Sequence, residues 1–310
     1  MIKYIFLITL ALLYSCDNLE KKKKSAIILD QTLIKAKEES ITTNILLKKY
    51  NVYINNLDSL DANSSSNATS RFKELFKEED KILCDNAFVI FNNLYEKLDR
   101  NLNELHEKDT TNYESLVLLT QNGKKPLISK KLLDYKQKLK DNGFEISEEE
   151  GITFIQKDRD FISKHFYPCV SHTTKDYLSK LNQENKEGFA SDAGLIIAPN
   201  IFAERMIWYE NFINNNLNFL FISNCKENRK YLLTFSLIGM DNTPVFDNET
   251  NKLSEYYKDL YEYLISKHQN SQTTKIIKPY YMAFKNSQPK LAKELIMEYK
   301  YKKLIFDYNK

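Results

Sequence analysis

A chain with only six glycines and six prolines among 310 residues has few places to turn sharply. Hairpin-rich sheets draw on both residues at their turns, so this scarcity argues against a β-rich fold. Long helices need neither, and the apolar spacing agrees. Phe91, Leu94, Leu98, Leu102 and Leu105 step by three and four, which places them on one helix face. Between residues 26 and 60, Ile28, Leu29, Leu33, Ile34, Ile41, Ile45, Leu46, Val52, Tyr53 and Leu57 predict one or two further helices. The fold class that follows is mainly α, built of antiparallel helical hairpins.

Local signals divide the chain. "DANSSSNATS" (61–70) predicts a polar loop, because Asn and Ser disfavour helix interiors. Residues 110–121 fit strand or helix equally, and Gly123 and Pro126 mark a break. The spacing predicts a helix over 127–140, stopped by "DNG" at 141–143. Ser147 and Glu150 have the spacing of a capping box. That predicts a helix presenting Phe154, Ile155, Phe161, Ile162 and Phe166 on one face. A short strand over 151–155 is the rival, since Ile152 and Thr153 are β-branched. Further on, "YENFINNNLNF" (209–219) aligns with "YEYLISKHQNS" (261–271), and a Tyr-x-x-x-Phe step follows each, Tyr231 to Phe235 and Tyr280 to Phe284. Each unit reads as a helical hairpin, and stacked units would form a short α-solenoid of the TPR-like kind.

The first residues have a different character. Lys3 precedes an apolar run from Ile5 to Leu13, too short to span a bilayer comfortably, and Tyr14 and Ser15 lead into Cys16. Leu13-Tyr14-Ser15-Cys16 resembles the lipobox of bacterial lipoproteins, with Tyr14 departing from the small or aliphatic residue usual at its position. The resemblance covers residues 1–16 alone. It implies cleavage before Cys16 and lipidation of that residue by acyl chains such as palmitate, which would hold the protein on a membrane. An uncleaved anchor, or cleavage elsewhere, is the alternative. Residues 16–25 then read as a lipidated tether, whose Lys21–Lys24 run could touch anionic head groups. The implied organisation is a signal peptide over 1–15, a tether over 16–25, an N-terminal helical region over 26–145 and a C-terminal hairpin domain over 146–310.

Removing residues 1–15 takes away one lysine and no acid, leaving 44 basic and 42 acidic side chains. That balance does not suit a nucleic-acid-binding protein. Besides Cys16 there are Cys84, Cys169 and Cys225, far apart and odd in number, so no disulfide framework is predicted. A second likeness lies in the body. "DAGLIIAPNIFAERMIWYENFI" (192–213) and "LIGMDNTPVFDNETNKL" (237–253) resemble segments of exported helical bacterial proteins with a "YENFL"-type helix and an "NTPVFD"-type turn. It implies an extracytoplasmic helical body and carries no activity with it.

Four constellations could bear chemistry. His165, Cys169 and His172 lie four and three residues apart and could ligate zinc, but Pro168 interrupts the helix that would align them, and no fourth ligand is near. A packed cysteine flanked by part-exposed histidines is the plainer reading. Glu148, Glu149, Glu150, Asp158 and Asp160 could supply an acid–base pair if one were desolvated, though Glu150 has a capping role to play. Asp241, Asp247 and Glu249 could converge on calcium. A rigid turn at Asn242-Thr243-Pro244, with Asp247 or Asn248 capping the next helix, explains the same residues, and Asp192 reads as a turn or cap. Ile207, Trp208, Asn211 and Phe212 could form an exposed stripe for glycan or peptide, or equally a helix–helix core. The sequence contains no phosphate-binding glycine loop, G-x-S-x-G, H-E-x-x-H or C-x-x-C, and only four histidines. No cofactor or metal is expected. The expected function is non-catalytic binding or scaffolding on a cell membrane or outer membrane, facing periplasm or surroundings, with an envelope protein or peptide as partner. The alternatives are an envelope-polymer hydrolase using Glu149, Glu150 and Asp158, and an inhibitor or immunity lipoprotein.

Overall fold

The computed structural model describes residues 45–117, 127–247 and 252–307. Cys16, Lys21–Lys24, Asn248 and Glu249 lie outside these residues. The described chain is mainly α, with eleven helices and two small antiparallel sheets. Helix α1 covers 45–55, and α2 (Asn63–Phe76) and the long α3 (Lys81–Lys108) follow. A 3-10 turn at Glu114–Leu116 precedes α4 (Lys130–Asp141) and the hairpin β1 (Phe144–Glu149) and β2 (Ile152–Lys157). Then come α5 (Arg159–Phe166), α6 (His172–Glu187) and the two-residue strands β3 (Ala190–Ser191) and β4 (Gly194–Leu195). The chain closes with α7 (Pro199–Asn215), α8 (Ile222–Ile238), α9 (Glu255–Lys267), α10 (Gln272–Lys285) and α11 (Pro289–Tyr301).

The serine-rich stretch predicted as a loop is helix α2. Its small polar residues lie on the buried stripe, with Ser64, Ser65, Ala68 and Thr69 continued by Phe72 and Phe76. Ser64 Oγ donates to the Asp58 carbonyl at 2.6 Å and Thr69 Oγ1 to the Ser65 carbonyl at 2.8 Å, so these two hydroxyls are satisfied by the backbone, while the buried Ser65 hydroxyl has no partner. Short side chains let α1 approach closely enough for Tyr50 to donate to the Ala68 carbonyl at 3.1 Å. Tertiary packing thus outweighs weak intrinsic propensity.

Helix α3 starts on Asp80, which accepts from the Ile82 amide at 2.8 Å, as an N-cap should. Its predicted stripe is buried from Phe91 to Leu102, but Leu105 is exposed and His106 takes the inward position. Phe166 of α5 sits at the centre of this half, its ring 4.8 Å from Phe72, 5.0 Å from Phe88 and 4.4 Å from Phe91.

Ser147 and Glu150 do not form a capping box. Ser147 is in β1, and Glu150 (φ 53°) and Gly151 (φ 80°) form the two-residue loop to β2. Two successive positive φ values are what a type I′ hairpin requires, and Gly151 supplies one without strain. The strand considered for 151–155 therefore extends to Lys157 and pairs backwards with Phe144–Glu149. A division between 145 and 146 falls inside β1, so the hairpin belongs with the N-terminal helices. The outer edge of β2 is closed by a side chain. The Asn103 amide donates to the Ile155 carbonyl at 2.7 Å and accepts from its N–H at 2.8 Å, as a neighbouring strand would. Lys157 completes the docking on α3 with Glu96 at 2.6 Å and Asp99 at 3.6 Å. Of the five residues expected on one helix face, Phe154 and Ile155 are therefore strand residues.

The last five helices include the two segments aligned as a repeat, on α7 and α9. Helices α7 and α8 pair, as do α9 and α10, and α7 also packs on α9. The aligned Tyr209 and Tyr261 are both fully buried. The aromatic steps are as spaced, with rings 4.7 Å apart for Tyr231 and Phe235 and 5.1 Å for Tyr280 and Phe284. Asp192 (φ 47°) forms the β3–β4 turn with Ala193 (φ 49°). Asn242 and Thr243 build the expected tight turn, with Thr243 and Met240 exchanging backbone bonds at 3.0 and 3.1 Å. The N-cap position of α9 is Ser254 rather than Asp247. One cluster of buried residues runs through both halves, joined where Phe221 meets Phe88 and Tyr177 at 5.9 and 5.6 Å.

Candidate functional site

The histidine–cysteine segment is not brought to one centre. His165 on α5 accepts from Lys73 Nζ at 2.6 Å. That requires a neutral ring, and burial together with the Lys73 and Lys164 cations pulls its pKa down to about 4. His172 opens α6 at the surface, where it pairs with Asp176 at 2.9 Å. Cys169 is buried in the intervening turn. That turn is fastened to α3 by Lys81, which donates to the Pro168 carbonyl at 2.6 Å, and by Asp85, which accepts from the Ser171 amide at 2.8 Å. Among the described residues no group of three or more His, Cys, Asp or Glu side chains could hold a metal ion. Cys84, Cys169 and Cys225 are free and buried.

The carboxylates scatter in the same way. Glu148 accepts from the Gly151 amide and closes the hairpin loop. Glu149 and Glu150 are exposed beside it. Asp158 caps α5 by accepting from the Asp160 amide at 2.9 Å. Asp160 pairs with Lys186 at 2.8 Å and Asn182 at 3.0 Å, and these bonds hold its pKa below the usual value. Each has a structural partner or faces solvent, so no acid–base pair assembles from them. Trp208 is half-buried, stacked on Phe212 at 4.7 Å. It lines a shallow depression of about 350 Å³ with His172, Asp176 and Asn215.

A buried polar network between α6, α7, α8 and α10 is the feature that the spacing did not announce. Arg205 is 3% exposed and donates to Glu187 at 2.8 Å and to the Gly188 carbonyl at 2.6 Å. Glu184 accepts from Tyr209 at 2.9 Å, and burial raises its pKa despite Lys180 at 3.5 Å. Glu210 receives the first turn of α10, accepting from the Gln272 and Thr273 amides at 2.6 and 2.7 Å and from the Thr273 hydroxyl at 2.7 Å. Arg229 stands 3.3 Å from it. Burial would raise the Glu210 pKa, but the Thr273 and Gln272 bonds outweigh it and hold the acid below its ordinary value. These groups engage one another across the helices, with Arg205 Nε, Arg229 Nε and Glu184 Oε1 left without a hydrogen bond, and the network forms a set of joints between hairpins. Its sequence signal is Arg205 and Glu210 falling on the buried side of an aromatic helix, which betrays burial but not the partners.

The space suited to a ligand lies at the C-terminal end. A cavity of about 590 Å³ opens between α8, α10 and α11, lined mainly by Leu237, Ile238, Phe246, Tyr280, Ile296 and Met297. A second of about 580 Å³ is lined by Lys252, Lys258, Glu262, Tyr281 and Lys285. Phe284 and Pro289 belong to both walls. The position of α11 depends on Ser287 at φ 57°, which lets Gln288 bond back to the Ala283 carbonyl at 2.8 Å before Pro289 starts the helix. No family model, curated protein or solved structure matches this chain. What it does must be argued from its own residues. Their geometry offers apolar cavities with cationic groups at one side, in the size range of about 300–1,000 Å³ typical of small-molecule sites.

Proposed function

We propose that this chain is a lipid-anchored extracytoplasmic protein of a bacterial envelope with a non-catalytic binding or scaffolding role. The observation that carries the reading is the Leu13-Tyr14-Ser15-Cys16 run after a short apolar segment with one preceding lysine. Two features of the body support it. No helix among the described residues is long and apolar enough to cross a membrane, so a lipid on Cys16 would be what holds them there. The helix pairs α7–α8 and α9–α10, packed together through α7 and α9, are compatible with a short α-solenoid, a kind of fold whose exposed faces are commonly binding surfaces. The partner is a component of the envelope, and the tether residues 16–25 set its reach from the bilayer. The dispersed carboxylates give the hydrolase alternative no site to use.

Replacement of Cys16 by serine tests the anchor. With metabolic labelling by an alkyne-bearing palmitate, the parent chain takes up label and sediments with membranes, while Cys16→Ser takes up none. Retained labelling of Cys16→Ser refutes the assignment.

A further inference from the structure

The two C-terminal cavities differ in chemistry but share a wall. The first is lined mainly by aliphatic and aromatic side chains, with Lys293 its one charged lining residue. The second presents three lysines, Lys252, Lys258 and Lys285, against one acid, Glu262, whose carboxylate already accepts from Tyr281 at 2.7 Å. The ion pairs among the described residues do not engage Lys258, Lys285 or Lys293. Lys285 lies over the Tyr281 ring at 6.0 Å, which leaves its ammonium beside the opening. Phe284 is the hinge between the two spaces, its ring 5.6 Å from Phe246 on one side and its backbone leading into Lys285 on the other. Met297, at 65% exposure, leaves the apolar space accessible from outside.

We infer that these adjoining cavities bind a single-chain anionic amphiphile, with its acyl chain in the Leu237–Ile296–Met297 space and its carboxylate or phosphate head against Lys258 and Lys285. Each half of the ligand answers one half of the site. An uncharged hydrocarbon would leave the lysines unused, and a small anion alone would leave the apolar cavity empty. Burial of the chain supplies the driving force and the lysines supply orientation. The inference deepens the binding role proposed above and rests on it, since a membrane tether would keep the site beside the source of such molecules.

Photolabelling of the full chain tests it. The probes are palmitic acid with a terminal diazirine and the corresponding diazirine alcohol, applied to the chain in whichever cell fraction holds it. After irradiation and trypsin digestion, the acid should label chiefly the peptide from Glu294 to Lys300, which carries Ile296 and Met297. Excess unlabelled palmitate should suppress the adduct and inorganic phosphate should not. Ile296→Trp, which fills the apolar space, should cut labelling at least about fivefold, as should the double charge reversal Lys258→Glu/Lys285→Glu for the acid but not for the alcohol. Far-UV circular dichroism checks each variant. If Ile296→Trp unfolds, Met297→Trp at the exposed rim takes its place. Adducts spread evenly over the surface, equal labelling by acid and alcohol, or suppression by phosphate alone would overturn the inference. Labelling is read independently of Cys16 lipidation, so the anchor and the ligand site can fail separately.

Discussion

Glu210→Ala should loosen the joint between the two helical hairpins. Glu210 lies on α7, is 6% exposed, and accepts three hydrogen bonds from the first turn of α10, more than sixty residues away in sequence. Bonds to a charged acceptor contribute about 1.5–3 kcal/mol each. The three share one carboxylate, so their sum overstates the loss. Removing one partner of a buried pair costs about 3–5 kcal/mol, because the other groups stay buried without it. Thr273 is 1% exposed and would keep an unpaired amide, whereas the Arg229 side chain, at 23% exposure, could turn to water. The expected cost is therefore toward the lower end, about 3–4 kcal/mol. Urea titration followed by far-UV circular dichroism reads it as a lower midpoint with unchanged slope. Amide exchange at Gln272 and Thr273 should accelerate more than at the Phe91 core. Glu210→Gln keeps the shape but aims an NH₂ group at donors, and should fall between parent and alanine. The folded pKa of Glu210 lies below its unfolded value, so its stabilisation is complete above that unfolded value and fades as pH falls. Glu210→Gln should accordingly flatten the acid limb of stability. A loss under about 1 kcal/mol for Glu210→Ala, with no local change in exchange, would refute the reasoning.

Other substitutions probe independent features. His165 is held neutral with its pKa depressed from 6.5 to about 4. The unfolded chain therefore takes up its proton first, and stability present above pH 6.5 is lost as pH falls toward 4, by at most about 3 kcal/mol. His165→Gln should remove that share of the pH dependence in urea titrations at pH 4, 5, 6 and 7, and parallel parent and variant curves would contradict the Lys73–His165 contact. Gly239 has φ 75°, and a Cβ there would meet the Thr243 carbonyl oxygen and the Val245 nitrogen, each at 2.9 Å. Gly239→Ala should therefore cost at least about 2 kcal/mol, read as a lower thermal midpoint, since neither backbone atom can swing aside. Phe166→Ala, at the meeting point of Phe72, Phe88 and Phe91, should cost about 3–5 kcal/mol by the same titration.

What the sequence disclosed depended on how local the cause was. Helix content was legible because the period-3.6 stripe of α3 and the aromatic steps of α8 and α10 are written within single elements. The α2 segment misled because its asparagines and serines have poor intrinsic propensity. That same smallness is what lets Tyr50 reach the Ala68 backbone, and only the three-dimensional neighbour gives it value. The β1–β2 hairpin misled for a related reason. Ser147 and Glu150 match a capping box by spacing, but Gly151 beside Glu150 admits two positive φ values, and the Asn103 side chain then protects the strand edge from 52 residues away. The separate fates of His165, Cys169 and His172 were half legible, since Pro168 announced the break but not Lys73 or Asp176. The Glu210 joint and the C-terminal cavities were not legible. Glu210 depends on α10, and the cavities depend on α8, α9, α10, α11, Phe246 and Lys252 meeting in space. A site assembled from four helices and the residues between α8 and α9 has no local signature. Its lysines read as ordinary solvated charges, and its apolar residues as ordinary core, until Phe284 is found to border both.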